Sequence, residues 1–193
     1  MTAIALIDFN NFYASCESVF NPKLKGKAVV ILSNNDGCCV SRSDAAKRLG
    51  IKMGAPWFQI KDKFKLGEVI ALSSNYALYA DASNRVMNIL RQFSPDQEIY
   101  SVDEAFISMS GFADRDLTYY GKEIKATVLQ WAGMPVCVGI ASTKILAKLA
   151  NHCAQKRPEY SGVCNFNTRP IKSLKPMLAS IPVAEVWGIG SRL

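Results

Sequence analysis

The order in which hydrophobic periods of two and of 3.6 residues follow one another constrains this 193-residue chain more than any other feature. Ala3–Phe9 (AIALIDF), Lys27–Ser33, Glu68–Leu72, Glu98–Val102, Ala105–Met109, Val136–Ala141 and Gly162–Asn165 read as strands. Asn10–Phe20, Ser43–Leu49, Asn75–Phe93, residues 117–131, Thr143–Lys156 and Lys172–Leu178 read as helices. Ile51–Lys65, with Gly54, Pro56 and four lysines, reads as loop with one short helix. Set residues 10–74 aside and the remainder runs strand, helix, strand, strand, helix, strand. That is an α+β, ferredoxin-like βαββαβ arrangement, with residues 10–74 as a small basic α/β subdomain inserted into the first crossover.

The length allows one ordinary domain, or one plus part of another. No apolar run approaches the ~18 residues of a membrane span. The first ten residues lack a basic start and carry Asp8 inside their apolar run, so they are not a secretory signal. Six cysteines without a CxxC, and a single histidine, speak against a His/Cys zinc site and a Ser-His-Asp triad. Free thiols in a reducing cytoplasm are the plain expectation. The net charge of +7 is unevenly spread: −2 over residues 1–20, +7 over 21–65, −4 over 66–141 and +6 over 142–193. An acidic centre between basic arms suits a metal-binding core that holds a polyanion, although chance clustering on solvated faces would look the same.

Topology gives the acidic centre its meaning. A right-handed first crossover makes strands one and two parallel, with strand three antiparallel between them. The end of the first strand, with Asp8, then lies at the same sheet edge as the tight hairpin carrying Asp103 and Glu104. Each feature alone has an ordinary explanation. Asp8 could be capped by the amides of Asn10 and Asn11 or paired with a lysine, and Asp103-Glu104 could be a solvated hairpin tip. Together they are better explained by a divalent cation. Oxygen ligands without histidine suit Mg²⁺, and two such ions can clamp both oxygens of a phosphoryl transfer.

There is no GxxxxGK[ST], which excludes a P-loop. The strand-to-helix turn Phe9–Tyr13 offers backbone N–H groups beside Asp8, and Ser41, Arg42 and Lys47 could reach across from the insert. Lys144, Lys148, His152 and Lys156 share one helix face, either a solvated stripe or further phosphate ligands.

DFNNFYASCE (8–17), LSNNDGC (32–38), SSNYALYAD (73–81), YSVDEAF (100–106), GIASTKILAKLANH (139–152) and VWGIG (186–190) come in order along nearly the whole chain. They resemble the Y-family translesion DNA polymerases, and among them the UmuC type, the catalytic subunits of bacterial DNA polymerase V. The resemblance implies a palm over residues 1–10 and 75–166, fingers over 11–74 and the start of a helical thumb over 168–193. It implies that Asp8, Asp103 and Glu104 are catalytic and bind two Mg²⁺ ions, with the Phe9 carbonyl as a further ligand. Asn10, Asn11, Phe12, Tyr13, Ser41, Lys47 and Lys156 would contact the nucleotide, with Tyr13 as a steric gate against a 2′-OH; otherwise Tyr13 is a core aromatic. Gly188, Ile189 and Gly190 would hold a DNA phosphate.

The implied partners are damaged primer–template DNA, deoxynucleoside triphosphates, a UmuD-type subunit, a recombinase filament and a sliding clamp, in the cytoplasm and without a membrane. Two departures from the family pattern stand out. The usual phosphate-binding lysine is Gln155, with Lys156 one residue, or about 100° of helix, further on. The chain stops at Leu193, before a complete thumb and little finger, so a truncated product is expected. The alternatives are a non-catalytic DNA- or partner-binding fragment and a nucleotidyl cyclase, which builds a two-metal site on a similar sheet.

Overall fold

In the computed structural model, residues 3–65, 67–112 and 115–189 are described. They divide into two compact units, Met1–Phe9 with Arg85–Leu193, and Asn10–Asn84.

The first unit is built on five strands: β1 (Ile4–Phe9) and, further along the chain, Gln97–Ile99, Glu104–Ser108, Val136–Ala141 and Val163–Asn165. The second unit opens with α1 (Phe12–Phe20), followed by β2 (Ala28–Leu32), β3 (Cys39–Arg42), α2 (Asp44–Arg48), α3 (Trp57–Ile60) and β4 (Val69–Ser73). Helix α4 (Tyr76–Leu90) contains the unit boundary. The four remaining strands of the first sheet are β5 to β8 in the order given. Between and after them lie α5 (Leu117–Ala132), α6 (Lys144–Lys156) and α7 (Ile171–Ala179).

The first sheet has the order β5-β6-β1-β7-β8. β6 runs antiparallel to both β5 and β1, β7 is antiparallel to β1, and β8 adds in parallel to β7. This is the expected βαββαβ order with one extra edge strand. The hairpin differs in detail from the sequence reading. Its strands do not meet tightly through Asp103-Glu104: β5 ends at Ile99, and Glu104 is already the first residue of β6. The Glu104 carbonyl accepts the N–H groups of Tyr100 (3.0 Å) and Ser101 (3.1 Å), so a broader turn carries Asp103 at its rim.

Helices cover both faces of this sheet. On one face α6 packs over Leu6, Phe106, Cys137 and Ala141 through Ala147, Ala150 and Cys153. The close approach depends on Gly139: a Cβ there would lie 2.2 Å from the Asn151 nitrogen and 2.3 Å from the Ala147 carbonyl oxygen. The buried Asn151 fastens the helix by donating to the carbonyls of Cys137 (3.0 Å) and Leu6 (3.4 Å). On the other face Gly121 of α5 sits against Val138, Ile140 and Val163.

In the second unit β2 is central, antiparallel to β3 and parallel to β4. β3 has no counterpart in the sequence reading. It is four residues long, and its alternation of buried Cys39 and Ser41 with half-buried Val40 and Arg42 places a hydroxyl on the core side, which hides the strand pattern. Val30, Leu32, Cys39, Ala46 and Ile51 form the core of this unit. All six cysteines are free thiols. Among the described residues no helix is long and apolar enough to cross a membrane.

Candidate active site

The β1–β6 register sets Asp8 directly opposite Glu104. One step further the Phe9 N–H donates to the Asp103 carbonyl at 2.9 Å. The strand alternation puts Asp8 on the face of Leu6 and Glu104 on the face of Phe106, beneath α6. Like charges directly opposed on an antiparallel pair are destabilising. Such a pair has to be answered by something positive or by a proton. The Asp8 carboxyl is accordingly raised from 3.8 to about 7, first by burial and then by the charges of Glu104 and Asp103, and it shares a side-chain hydrogen bond with Glu104.

Each carboxylate has a partner from this unit. Gln155 Nε2 donates to Asp8 Oδ1 at 2.6 Å. Ser101 Oγ donates to Asp103 Oδ1 at 2.7 Å, and accepts from the Asp103 N–H at 3.3 Å. Lys148 Nζ donates to both Glu104 oxygens, at 2.8 and 2.9 Å. As these side chains stand, no three His, Cys, Asp or Glu residues among the described residues form a group that could hold an ion. The sheet brings the three carboxylates to one end; their side chains are turned to Gln155, Ser101 and Lys148.

Three residues of the basic stripe on α6 face acidic partners. Lys144 pairs with Glu98, Lys148 with Glu104, and His152 Nδ1 lies 3.5 Å from Glu185. Lys156 is exposed at the end of the helix, and the residue that meets Asp8 is Gln155. Sequence reasoning missed Gln155 as a partner of Asp8, and Tyr100 and Trp187 as neighbours of Lys148. The seven-residue step from Lys148 to Gln155, two helical turns, was the available signal. Of the candidate DNA-binding turn, Gly188 has φ +88° and the Ile189 N–H donates to the Val186 carbonyl at 2.9 Å. Gly190 lies outside the described residues.

In the second unit Asn11 caps α1 in the left-handed region (φ 52°), which asparagine tolerates. Its Nδ2 donates to Asp44 Oδ1 at 2.9 Å. The Asn10 carbonyl accepts from Ser15 Oγ at 2.7 Å. Ser41 is buried, and its Oγ bridges the Ala14 N–H and the Asn11 carbonyl, both at 3.3 Å. Phe12 is buried, while the half-buried Tyr13 stacks on Tyr79 with centroids 4.4 Å apart and meets Tyr76 edge-on at 5.9 Å. Lys47 is exposed, 3.8 Å from Asp44.

Residues 7–152 match the model of the impB/mucB/samB family, a span that contains Asp8, Asp103, Glu104 and Lys148. The chain belongs to that family. Proteins named UmuC, ImpB, SamB and MucB, the type that the six motifs resemble, are among the relatives it matches. Over 191 residues it is 52% identical to the protein UmuC of Salmonella typhimurium strain LT2, covering 98% of this chain and 45% of that protein. DNA polymerase IV of Saccharolobus solfataricus is 32% identical over 195 residues, with 97% of this chain and 53% of that protein covered. Among solved structures, the insertion ternary complex of Dbh DNA polymerase superposes with a TM-score of 0.83 at 27% identity, over 98% of this chain and 55% of that one. The chain spans about half the length of the curated relatives it matches.

Proposed function

We propose that this chain is the metal-binding catalytic half of an error-prone translesion DNA polymerase, performing template-directed nucleotidyl transfer across damaged bases in the SOS response. The observation that carries the reading is the direct opposition of Asp8 and Glu104, with Asp103 at the adjoining turn. A half-buried pair of like charges costs stability, and a cation shared between the two carboxylates gives it a use. The donor set fits Mg²⁺: carboxylate oxygens from Asp8, Asp103 and Glu104 and the Phe9 carbonyl, without imidazole or thiolate. When bound, two such ions would lower the pKa of a primer 3′-OH and neutralise the leaving pyrophosphate.

The chain's own residues hold those donors in place. β1 and β6 fix the spacing of Asp8 and Glu104, and Ser101 orients Asp103. Asn10, Asn11, Phe12, Tyr13, Ser41, Lys47 and Lys156 are read as the nucleotide contacts, with Tyr13 excluding a 2′-OH. Gly188 to Gly190 are read as a DNA-phosphate grip. In this reading residues 1–10 and 75–166 are the palm, 11–74 the fingers, and 168–193 the thumb's beginning. Primer–template DNA, deoxynucleoside triphosphates, a UmuD-type subunit, a recombinase filament and a sliding clamp are the partners, in the cytoplasm.

Asp103→Ala with Glu104→Ala, in the full-length polymerase, is expected to abolish Mg²⁺-dependent primer extension, a loss of at least about 10³-fold. Extension retained within tenfold would overturn the assignment.

A further inference from the structure

Lys148 holds Glu104 with both carboxylate oxygens engaged, and the two side chains are only 17% and 18% exposed. The same ammonium lies over two aromatic rings, 4.5 Å from the Tyr100 centroid and 5.3 Å from that of Trp187. The rings meet edge to face, 5.4 Å apart at 88°, and Trp187 Nε1 donates to the Tyr100 hydroxyl at 3.1 Å. The ammonium therefore has two kinds of partner at once, a carboxylate and a pair of π faces. A cation held by aromatic rings keeps part of its stabilisation when its carboxylate turns away. The residue that directly faces Asp8 across the strands is thus tied to α6 as well. Trp187 belongs to the segment following the Val183–Glu185 turn, and His152 with Glu185 tethers that turn to the same helix.

We infer that Lys148 is a built-in competitor for divalent cations at Glu104, and that Tyr100 and Trp187 are positioning residues that retain its ammonium when the carboxylate is given up. The inference rests on the reading of Asp8, Asp103 and Glu104 as cation ligands. It adds that their affinity is set from α6 and registered by Trp187. Removing a positive charge a few ångströms from a cation site removes both the competitor and its repulsion, and about tenfold tighter binding is expected.

Binding of Mn²⁺ alone to the 193-residue chain, followed by the paramagnetic resonance signal of the free ion, tests this. Lys148→Met is expected to bind about tenfold more tightly than the parent, and Lys148→Arg to return to the parental affinity. In parallel, Mg²⁺ titration of the parent is expected to shift its tryptophan emission, and the shift to vanish in Trp187→Phe and in Lys148→Met. Equal or weaker Mn²⁺ binding by Lys148→Met overturns the inference while leaving the ligand assignment standing, provided that Asp103→Ala with Glu104→Ala abolishes binding. Mn²⁺ binding that survives the double alanine variant, or no binding by the parent, overturns the ligand assignment and the inference with it. Should Lys148→Met not fold, the parental emission decides: a Mg²⁺-dependent shift lost in Trp187→Phe supports the inference, and no shift overturns it.

Discussion

The carboxylate end of the first unit's sheet and the junction of α1 with β3 in the second unit hold their polar groups by opposite means. At the first, charges face one another across strands and are met by side chains from α6, the ammonium of Lys148 and the amide of Gln155, over separations of up to 147 residues. At the second, hydroxyls and amides are consumed by backbone groups, as when Ser41 bridges Ala14 and Asn11. Ion pairs can exchange one partner for another as conditions change. Hydroxyls bonded to the backbone cannot do so without loosening the fold. The first region is thus built to change its charge state, and the second to keep its shape.

The largest effect that would test this contrast lies at Asp8. Between about pH 4 and 7 the unfolded chain releases this proton while the folded chain retains it, so native stability falls as pH rises through that window. Asp8→Asn removes the dependence. With chelator present, the variant is expected to be more stable than the parent by about 2–4 kcal/mol at pH 8, and to lose that advantage toward pH 4. Denaturant midpoints at the two pH values measure it, and a pH-independent difference would break the contrast.

Tyr13→Ala removes the stack on Tyr79 and is expected to cost about 2 kcal/mol. In the full-length polymerase the same change should raise ribonucleotide incorporation. An unchanged ribonucleotide ratio together with the lost stability would leave Tyr13 a core aromatic only. Ser41→Ala strands an N–H and a carbonyl, at about 1 kcal/mol. For a chain of this size a thermal midpoint lower by about 2–4 °C is expected, together with a raised KM for the incoming nucleotide; an unchanged KM at that lost stability would leave Ser41 a shape-keeping residue only. Lys47→Ala is the smallest. Its exposed pair with Asp44 is worth less than about 0.5 kcal/mol, so stability should be flat while the KM rises, and a flat KM would remove Lys47 from the nucleotide contacts.

The order of elements was legible in the sequence because burial imposes its period on neighbouring residues. Ala3–Phe9, the two amphipathic helices and the placing of Asp8 beside the Asp103/Glu104 corner all follow from local pattern and the handedness of crossovers. β3 escaped because it is short and its core face carries Ser41. What no local pattern contains is which distant side chain answers a given charge. Gly139 lets α6 approach to within backbone contact, and that approach alone delivers Lys148 to Glu104 and Gln155 to Asp8. Sequence placed the carboxylates at one sheet end, since register and alternation are properties of the strands themselves. Tertiary packing chose their partners, because an electrostatic pairing depends on distance in space and has no period along the chain.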